Sequence, residues 1–319
     1  LIAVLLRVIY GWYCKKNFEE CSYKFIFDSS LLKKMFSFAG WNFIGASSAV
    51  LRDQGGNIII NLFYGPSVNA ARGIAMQVNN AVQGFVNNFQ TAINPQITKN
   101  YASGNYQYMM NLVFKGAKFS FFILLIMSLP IMITTPYLLF LWLGQVPEHT
   151  VNFVRLILLF TLSESLAGPL ITAMLATGNI KKYQIVVGGL QMLNLPISYL
   201  CLKMGLPPEI VLVVAIIISI CCEFTRLFML KNMINISIIA FLKEVYCKSL
   251  LVFAISFGIT YWLNSKITPN MISFIIISIC SILTTCTFIY IIGLNNEERL
   301  SVRKFVLTKL NIYKYDKNK

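Results

Sequence analysis

Four stretches of this 319-residue chain, 119–142, 183–202, 249–265 and 267–293, contain no charged residue. Each is close to or beyond the roughly 20 apolar residues that a helix needs to cross a bilayer. Backbone inside lipid has no water to bond with, so such runs fold as helices that satisfy their own hydrogen bonds. Composition bears this out: 57% of the residues are apolar and 12% are charged, against about 25% charged in a soluble domain. The fold class is an all-α polytopic membrane protein. An ordinary soluble domain and a disordered chain are both excluded.

Hydropathy predicts a partial span at 1–14 and eight full ones near 36–64, 68–97, 112–142, 151–177, 183–203, 208–230, 246–264 and 270–293. The chain opens on Leu1 in an apolar run that stops at Lys15-Lys16, without the basic start or cleavage site of a signal peptide. This is read as the end of a helix that begins upstream, and the chain as a fragment. Residues 15–35 then form a linker, 36–230 a six-helix bundle, 231–293 two further helices with their connecting loop, and 294–319 a basic tail.

The net charge is +15, and position decides what it means. Of 27 Lys and Arg, 21 fall in alternate gaps on one side and in the tail, against Lys203 and Lys266 on the other. The positive-inside rule puts the rich side, tail included, in the cytoplasm and the start of the chain outside. The expected partner of these cations is the anionic lipid of the inner leaflet. No basic patch alternates with exposed aromatics, so nucleic acid is not expected. The eight cysteines lack metal-ligand spacing, and His149 is the single histidine. No phosphate-binding loop, HExxH or paired carboxylates beside a nucleophile occur, so no enzyme, metal or cofactor is expected.

The polar residues inside spans carry the functional signal. Arg52 and Asp53 sit mid-span, where each costs about 2.5–3.5 kcal/mol on insertion scales. As neighbours they point about 100° apart on a helix, so simple mutual neutralisation is not expected and each calls for another helix or a wet cavity. Gly55-Gly56 follow and suggest a bend. In 68–97, Asn69, Arg72, Asn80, Gln83, Asn87, Gln90 and Asn94 fall on one helical stripe, opposite Ile74, Val78, Val82, Phe85, Phe89 and Ile93. Such a stripe suits a hydrophilic cavity; the other reading is amide bonding between helices. Glu164, five residues before Pro169, is either a hydrogen-bonded carboxyl at a kink or a site for a coupling ion. Glu223 and Arg226 read as a structural pair that reaches the interface by snorkelling. Pro130, Pro136, Pro169 and Pro196 are expected kinks.

LRD at 51–53, GPSVNAARGIAMQVNNAVQGFVNNFQTAINPQITKNYASGNY at 65–106 and LATGNIKKYQIVVGGLQMLNLPISYL at 175–200 resemble bacterial polysaccharide-unit flippases. These belong to the multidrug/oligosaccharidyl-lipid/polysaccharide exporter superfamily. The resemblance implies a fold of 12 to 14 helices in two bundles around a cavity, with spans 36–293 as helices seven to fourteen. It implies alternating access that carries an undecaprenyl-pyrophosphate-linked oligosaccharide between leaflets of the bacterial inner membrane for surface polysaccharide or lipopolysaccharide synthesis. It further implies H+ or Na+ as the coupling ion, with Glu164 as its candidate site, and other polysaccharide assembly proteins as partners. Arg52 and Arg72 would contact phosphate, with Asp53 beside them, and Asn80, Gln83 and Asn87 would face sugar hydroxyls. Arg52-Asp53 is also similar to an Arg-Asp pair in the related murein-lipid flippases. A cation-coupled multidrug antiporter of the same superfamily is the alternative, although the two spans after 230 favour the polysaccharide branch. A membrane polysaccharide polymerase is the other alternative, although the gaps on the external side are short for one.

Overall fold

The computed structural model describes residues 2–21 and 27–304, and the chain divides into two compact units, Leu1–Gly40 and Trp41–Lys319. Lys24 and the tail lysines beyond 304 lie outside the described residues. In the first unit, α1 (Ile2–Asn17) ends on Lys15 and Lys16, where cations meet the negative end of the helix dipole. A 3₁₀ turn covers Glu19–Cys21. Asp28 caps α2 (Ser29–Ala102): its Oδ1 accepts the backbone N–H of Leu31 at 3.1 Å and of Ser30 at 2.8 Å, and these bonds hold its carboxyl below the usual value.

In the second unit α2 reverses at Gly65, whose φ of 77° and ψ of −176° are open essentially to glycine alone, with Pro66 starting the next limb. Two limbs result, 29–64 and 66–102, as the two expected spans require. They run back along each other, so that Arg72 of the second meets Asn57 of the first. The first limb lies along α5 (Lys181–Met192) and α6 (Asn194–Lys203): Gly45 faces the Gln184 amide, and Phe63 packs edge-on to Tyr199 with ring centroids 5.4 Å apart. The second limb lies along α3 (Tyr106–Leu143) and α4 (Thr150–Ala176), with Phe89 against Phe119 at 6.5 Å.

The core runs between α3, α4 and α7 (Ile210–Ile234), where Leu124, Leu125, Phe153, Leu158, Leu170, Cys222 and Leu227 are buried. A short α8 (Ile238–Phe241) and a π-helical turn lead into α9 (Lys248–Lys266), and α10 (Met271–Phe288) continues as a π-helical turn to Gly293. α9 and α10 bury a seam of small hydroxyl residues, Ser249, Ser256 and Thr260 on one and Ser273, Ser281 and Thr285 on the other. Small side chains let membrane helices approach closely, while Leu250, Ile272, Ile279 and Leu283 stay on the outside, where lipid covers them.

Five of these helical segments are long and apolar enough to cross a membrane: α3, α4, α5 with α6, α7, and α10 with its π turn. Eight were expected. The limbs of α2 fall short because they carry the Arg-Asp pair and the amides. α9 falls short because Lys248, Lys266 and several Ser and Thr residues dilute its apolar run. The prolines divide in their effect: α3 and α4 continue through Pro130, Pro136 and Pro169, whereas the helix containing Pro196 is broken around Leu193.

Each end of the bundle is fastened by polar contacts. At the Gly65 end, Tyr64 donates to the Leu206 carbonyl at 2.8 Å, and His149 Nδ1 lies 2.8 Å from Glu209. Burial pushes the Glu209 carboxyl up, but hydrogen bonds from Asn152 at 3.0 Å and from His149 outweigh it and leave the group below its ordinary value. At the lysine-rich end, Lys118 and Glu298 form an ion pair at 2.6 Å with side chains only 2% and 5% exposed. Glu298 also accepts the Asn295 N–H at 2.8 Å, and the Asn295 side chain bonds Lys248 and Glu244. The start of the basic tail is thereby docked on α3, and residues 296–304 are helical.

Candidate functional site

A cavity of about 230 Å³ opens between the limbs of α2, α4, α6 and α7. Arg52, Asp53, Arg72, Asn80, Gln83 and Glu164 all line it, which brings together six of the seven residues singled out in the sequence. The seventh, Asn87, is exposed and outside the lining. The stripe is longer than the cavity. Further along it, Gln90 bonds Ser120 at 3.1 Å and the Ser165 carbonyl at 3.3 Å, in space left by Gly168. That part of the stripe is interhelical amide bonding, the other reading the pattern allowed.

Arg52 and Asp53 correct the geometric expectation. The arginine curls back so that its Nε donates to Asp53 Oδ1 at 2.9 Å, because a long flexible side chain spans an angle that the Cβ directions alone do not. Its guanidinium sits over the Phe160 ring at 4.9 Å, a cation–π contact that α4 supplies. Arg52 is largely buried, whereas the Asp53 side chain is 46% exposed to the cavity.

Gly55-Gly56 also turn out differently. The helix continues through them, and the missing side chains make room for close neighbours. A Cβ on Gly56 would lie 2.8 Å from Arg72 Nη1, and one on Gly55 2.2 Å from Leu195. Gly56 thus lets Arg72 lie flat on the first limb, where Nη1 donates to Asn57 at 2.8 Å and Nη2 to the Asp53 carbonyl at 3.4 Å. Arg72 is 5% exposed, its Nε has no partner, and among the described residues no carboxylate lies within 4.0 Å of it. A buried guanidinium whose hydrogen-bond partners are all neutral keeps the capacity to bind an anion, since a buried charge is costly without a counter-charge close by.

Other donors converge here. Glu164 accepts the Ser219 hydroxyl at 2.5 Å, and Asn79 accepts that of Thr161 at 2.5 Å while donating to Gln83 at 3.4 Å. Asn194, at the break between α5 and α6, is 1% exposed with its Nδ2 unpartnered. Sequence reasoning passed over Asn57, Phe160, Thr161, Asn194 and Ser219. For Asn194 a signal existed, namely an amide two residues before Pro196; Phe160 and Thr161 carry none. Among the described residues no cluster of metal-binding side chains occurs.

Glu223 and Arg226 depart most from expectation. They do not snorkel: both are buried, at 0% and 1% exposure, in the packed seam between α7, α4 and α5. No ion pair joins them within 4.0 Å. Arg226 Nε reaches the Tyr183 hydroxyl at 3.4 Å, and neither carboxyl oxygen of Glu223 makes a hydrogen bond. They lie on the same face of α7 as Ser219 and Cys222, so this face carries a polar file inward from the cavity. Arg155 Nε donates to the Met132 carbonyl at 3.1 Å, a contact between α4 and α3.

No curated protein and no solved structure matches the chain. Residues 55–200 match the MatE family model, a stretch that includes Arg72, Asn80, Gln83, Glu164 and Asn194 and begins just after Arg52-Asp53. The five apolar helices fit a multi-pass membrane protein, and residues 55–200 are similar to the MatE family, whose members are transporters.

Proposed function

We propose that this chain carries an undecaprenyl-pyrophosphate-linked oligosaccharide from the inner to the outer leaflet of a bacterial inner membrane by alternating access. Residues 36–230 serve as a six-helix bundle and 231–293 as two additional helices, with the tail in the cytoplasm. The observation that carries this reading is Arg72, a buried guanidinium at the cavity wall with no carboxylate partner. Arginine presents a fork that matches phosphate oxygens. Arg52 lies beside it, and the amides of Asn80, Gln83 and Asn194 suit sugar hydroxyls in the same lining. The polyprenyl tail needs no protein site, because lipid already solvates it.

The rival reading, a cation-coupled multidrug antiporter, draws on Asp53, Glu164 and Phe160 in the same wall, since two carboxylates and an aromatic ring suit a lipophilic cation. Complementation separates the two. Expression in a strain lacking its repeat-unit flippase should restore surface polymer, and expression in a drug-hypersensitive strain should leave drug sensitivity unchanged. Drug resistance without restored polymer would overturn the flippase reading.

A further inference from the structure

The cavity has two unlike sides. Its charged groups, and every amide in the lining but one, stand on the limbs of α2 and on α4. The side built by α6 and α7 consists of Asn194, Val211, Leu212 and Ala215. The three aliphatic side chains are buried and offer no hydrogen bond. Among the described residues, Asn194 is thus the one polar side chain on that side.

Two buried polar atoms of the described lining residues make no hydrogen bond, Arg72 Nε and Asn194 Nδ2, and both are donors. Asn194 is held where it stands. Its Oδ1 accepts the Ser198 hydroxyl at 3.5 Å, and the next residue, Leu195, fills the space left by Gly55 on the first limb. A donor buried without an acceptor is costly, and the aliphatic surface beside this one supplies none. A ligand that suits this side brings an acceptor to Nδ2 and apolar surface to α7 at the same place. A hydroxyl meets the first need only, because its own proton then finds no acceptor among Val211, Leu212 and Ala215. A carbonyl carrying a methyl group meets both: its oxygen only accepts, and its methyl leaves water.

Resting on the flippase reading above, we propose that Asn194 is a specificity-determining residue, and that the sugar it selects next to the pyrophosphate is an acetamido sugar. That sugar is bonded directly to the group on Arg72, so it is the unit that Arg72 brings nearest Asn194 in a cavity of about 230 Å³. The acetamido carbonyl accepts from Asn194 Nδ2, and its methyl lies on Val211, Leu212 and Ala215. A sugar with a hydroxyl in place of the acetamido group loses the methyl contact and sets an unpaired O–H against α7. Discrimination then comes from the polar atoms left unpaired, the form of selectivity that binding energy supplies most strongly.

Calorimetry of the full chain in lipid nanodiscs tests this with two probes, geranyl-pyrophosphoryl-N-acetylglucosamine and geranyl-pyrophosphoryl-glucose. They share tail and pyrophosphate and differ only at the second carbon of the sugar. The acetamido probe should bind roughly tenfold or more tightly. Asn194→Leu keeps the size of the side chain but removes the donor, and should bring the two affinities together. Ala215→Val crowds the place of the methyl, and should weaken the acetamido probe more than the glucosyl one. The comparison of probes on the unaltered chain decides the matter even where neither variant folds. Equal affinities, or tighter binding of the glucosyl probe, overturn the proposal and leave the flippase reading in place. A preference that survives Asn194→Leu takes the selecting role away from Asn194. If neither probe binds, the flippase reading falls, and the proposal with it.

Discussion

Alanine at position 72 should sharply reduce polymer export while leaving the amount of protein in the membrane unchanged. Arg72 makes two hydrogen bonds, both to neutral acceptors, and among the described residues no carboxylate lies within 4.0 Å of its buried charge. Removing it takes away a buried cation rather than half of an ion pair, so the fold loses little. The substrate loses a charge-assisted contact of about 1.5–3 kcal/mol, which corresponds to roughly ten- to more than hundredfold in headgroup affinity. Arg72→Lys should also weaken export, since an ammonium lacks the fork and cannot hold Asn57 and the Asp53 carbonyl while facing phosphate. Adding Arg52→Ala should abolish export, with the lipid-linked repeat unit accumulating in the inner leaflet. Surface polymer at normal levels in the double variant would refute the cationic site.

A second large effect concerns stability. Glu298→Ala should destabilise the protein by about 3–5 kcal/mol, because it strands the Lys118 ammonium, 2% exposed, and removes the acceptor for the Asn295 N–H. Most of that loss comes from leaving one charge unpaired. The paired change Lys118→Met with Glu298→Leu should therefore recover much of it, as packed apolar pairs often match buried ion pairs. Thermal unfolding of the detergent-solubilised protein reads both. A midpoint unmoved by Glu298→Ala would mean that the tail is not docked on α3 as the 2.6 Å pair indicates.

Much of this was readable in the sequence, and the exceptions share a cause. Charge-free runs define α3, α5 with α6, and α10 because lipid imposes one requirement on every residue in a span. Gly65-Pro66 mark the reversal between the limbs because a left-handed φ followed by a fixed one is a local property of the backbone. The polar stripe led to the right wall of the cavity, since Arg72, Asn80 and Gln83 share a face. Periodicity has no length limit, however, and it ran on through Asn87 and Gln90, past the point where α3 and α4 close over the helix. The Arg52–Asp53 pair was missed because side-chain reach, not Cβ direction, decides whether neighbours touch. Gly55-Gly56 suggest a bend because nothing in the sequence shows that Leu195 and Arg72 lie against them. The burial of Glu223 and Arg226 depends on the packing of α4 and α5 against α7, which no single segment encodes.

The central claim is that a pyrophosphate–sugar headgroup occupies the space between Arg52, Arg72 and Phe160. A photoreactive phenylalanine analogue at Phe160, an aromatic position that lines the cavity beside Arg52, measures this directly in cells that make a surface polymer. Illumination should yield an adduct between the protein and the lipid-linked oligosaccharide, and combined Arg52→Ala and Arg72→Ala should remove it. An adduct of equal yield without both arginines, or one that forms at lipid-facing Ile279 but not at 160, would contradict the assignment of this cavity as the headgroup site.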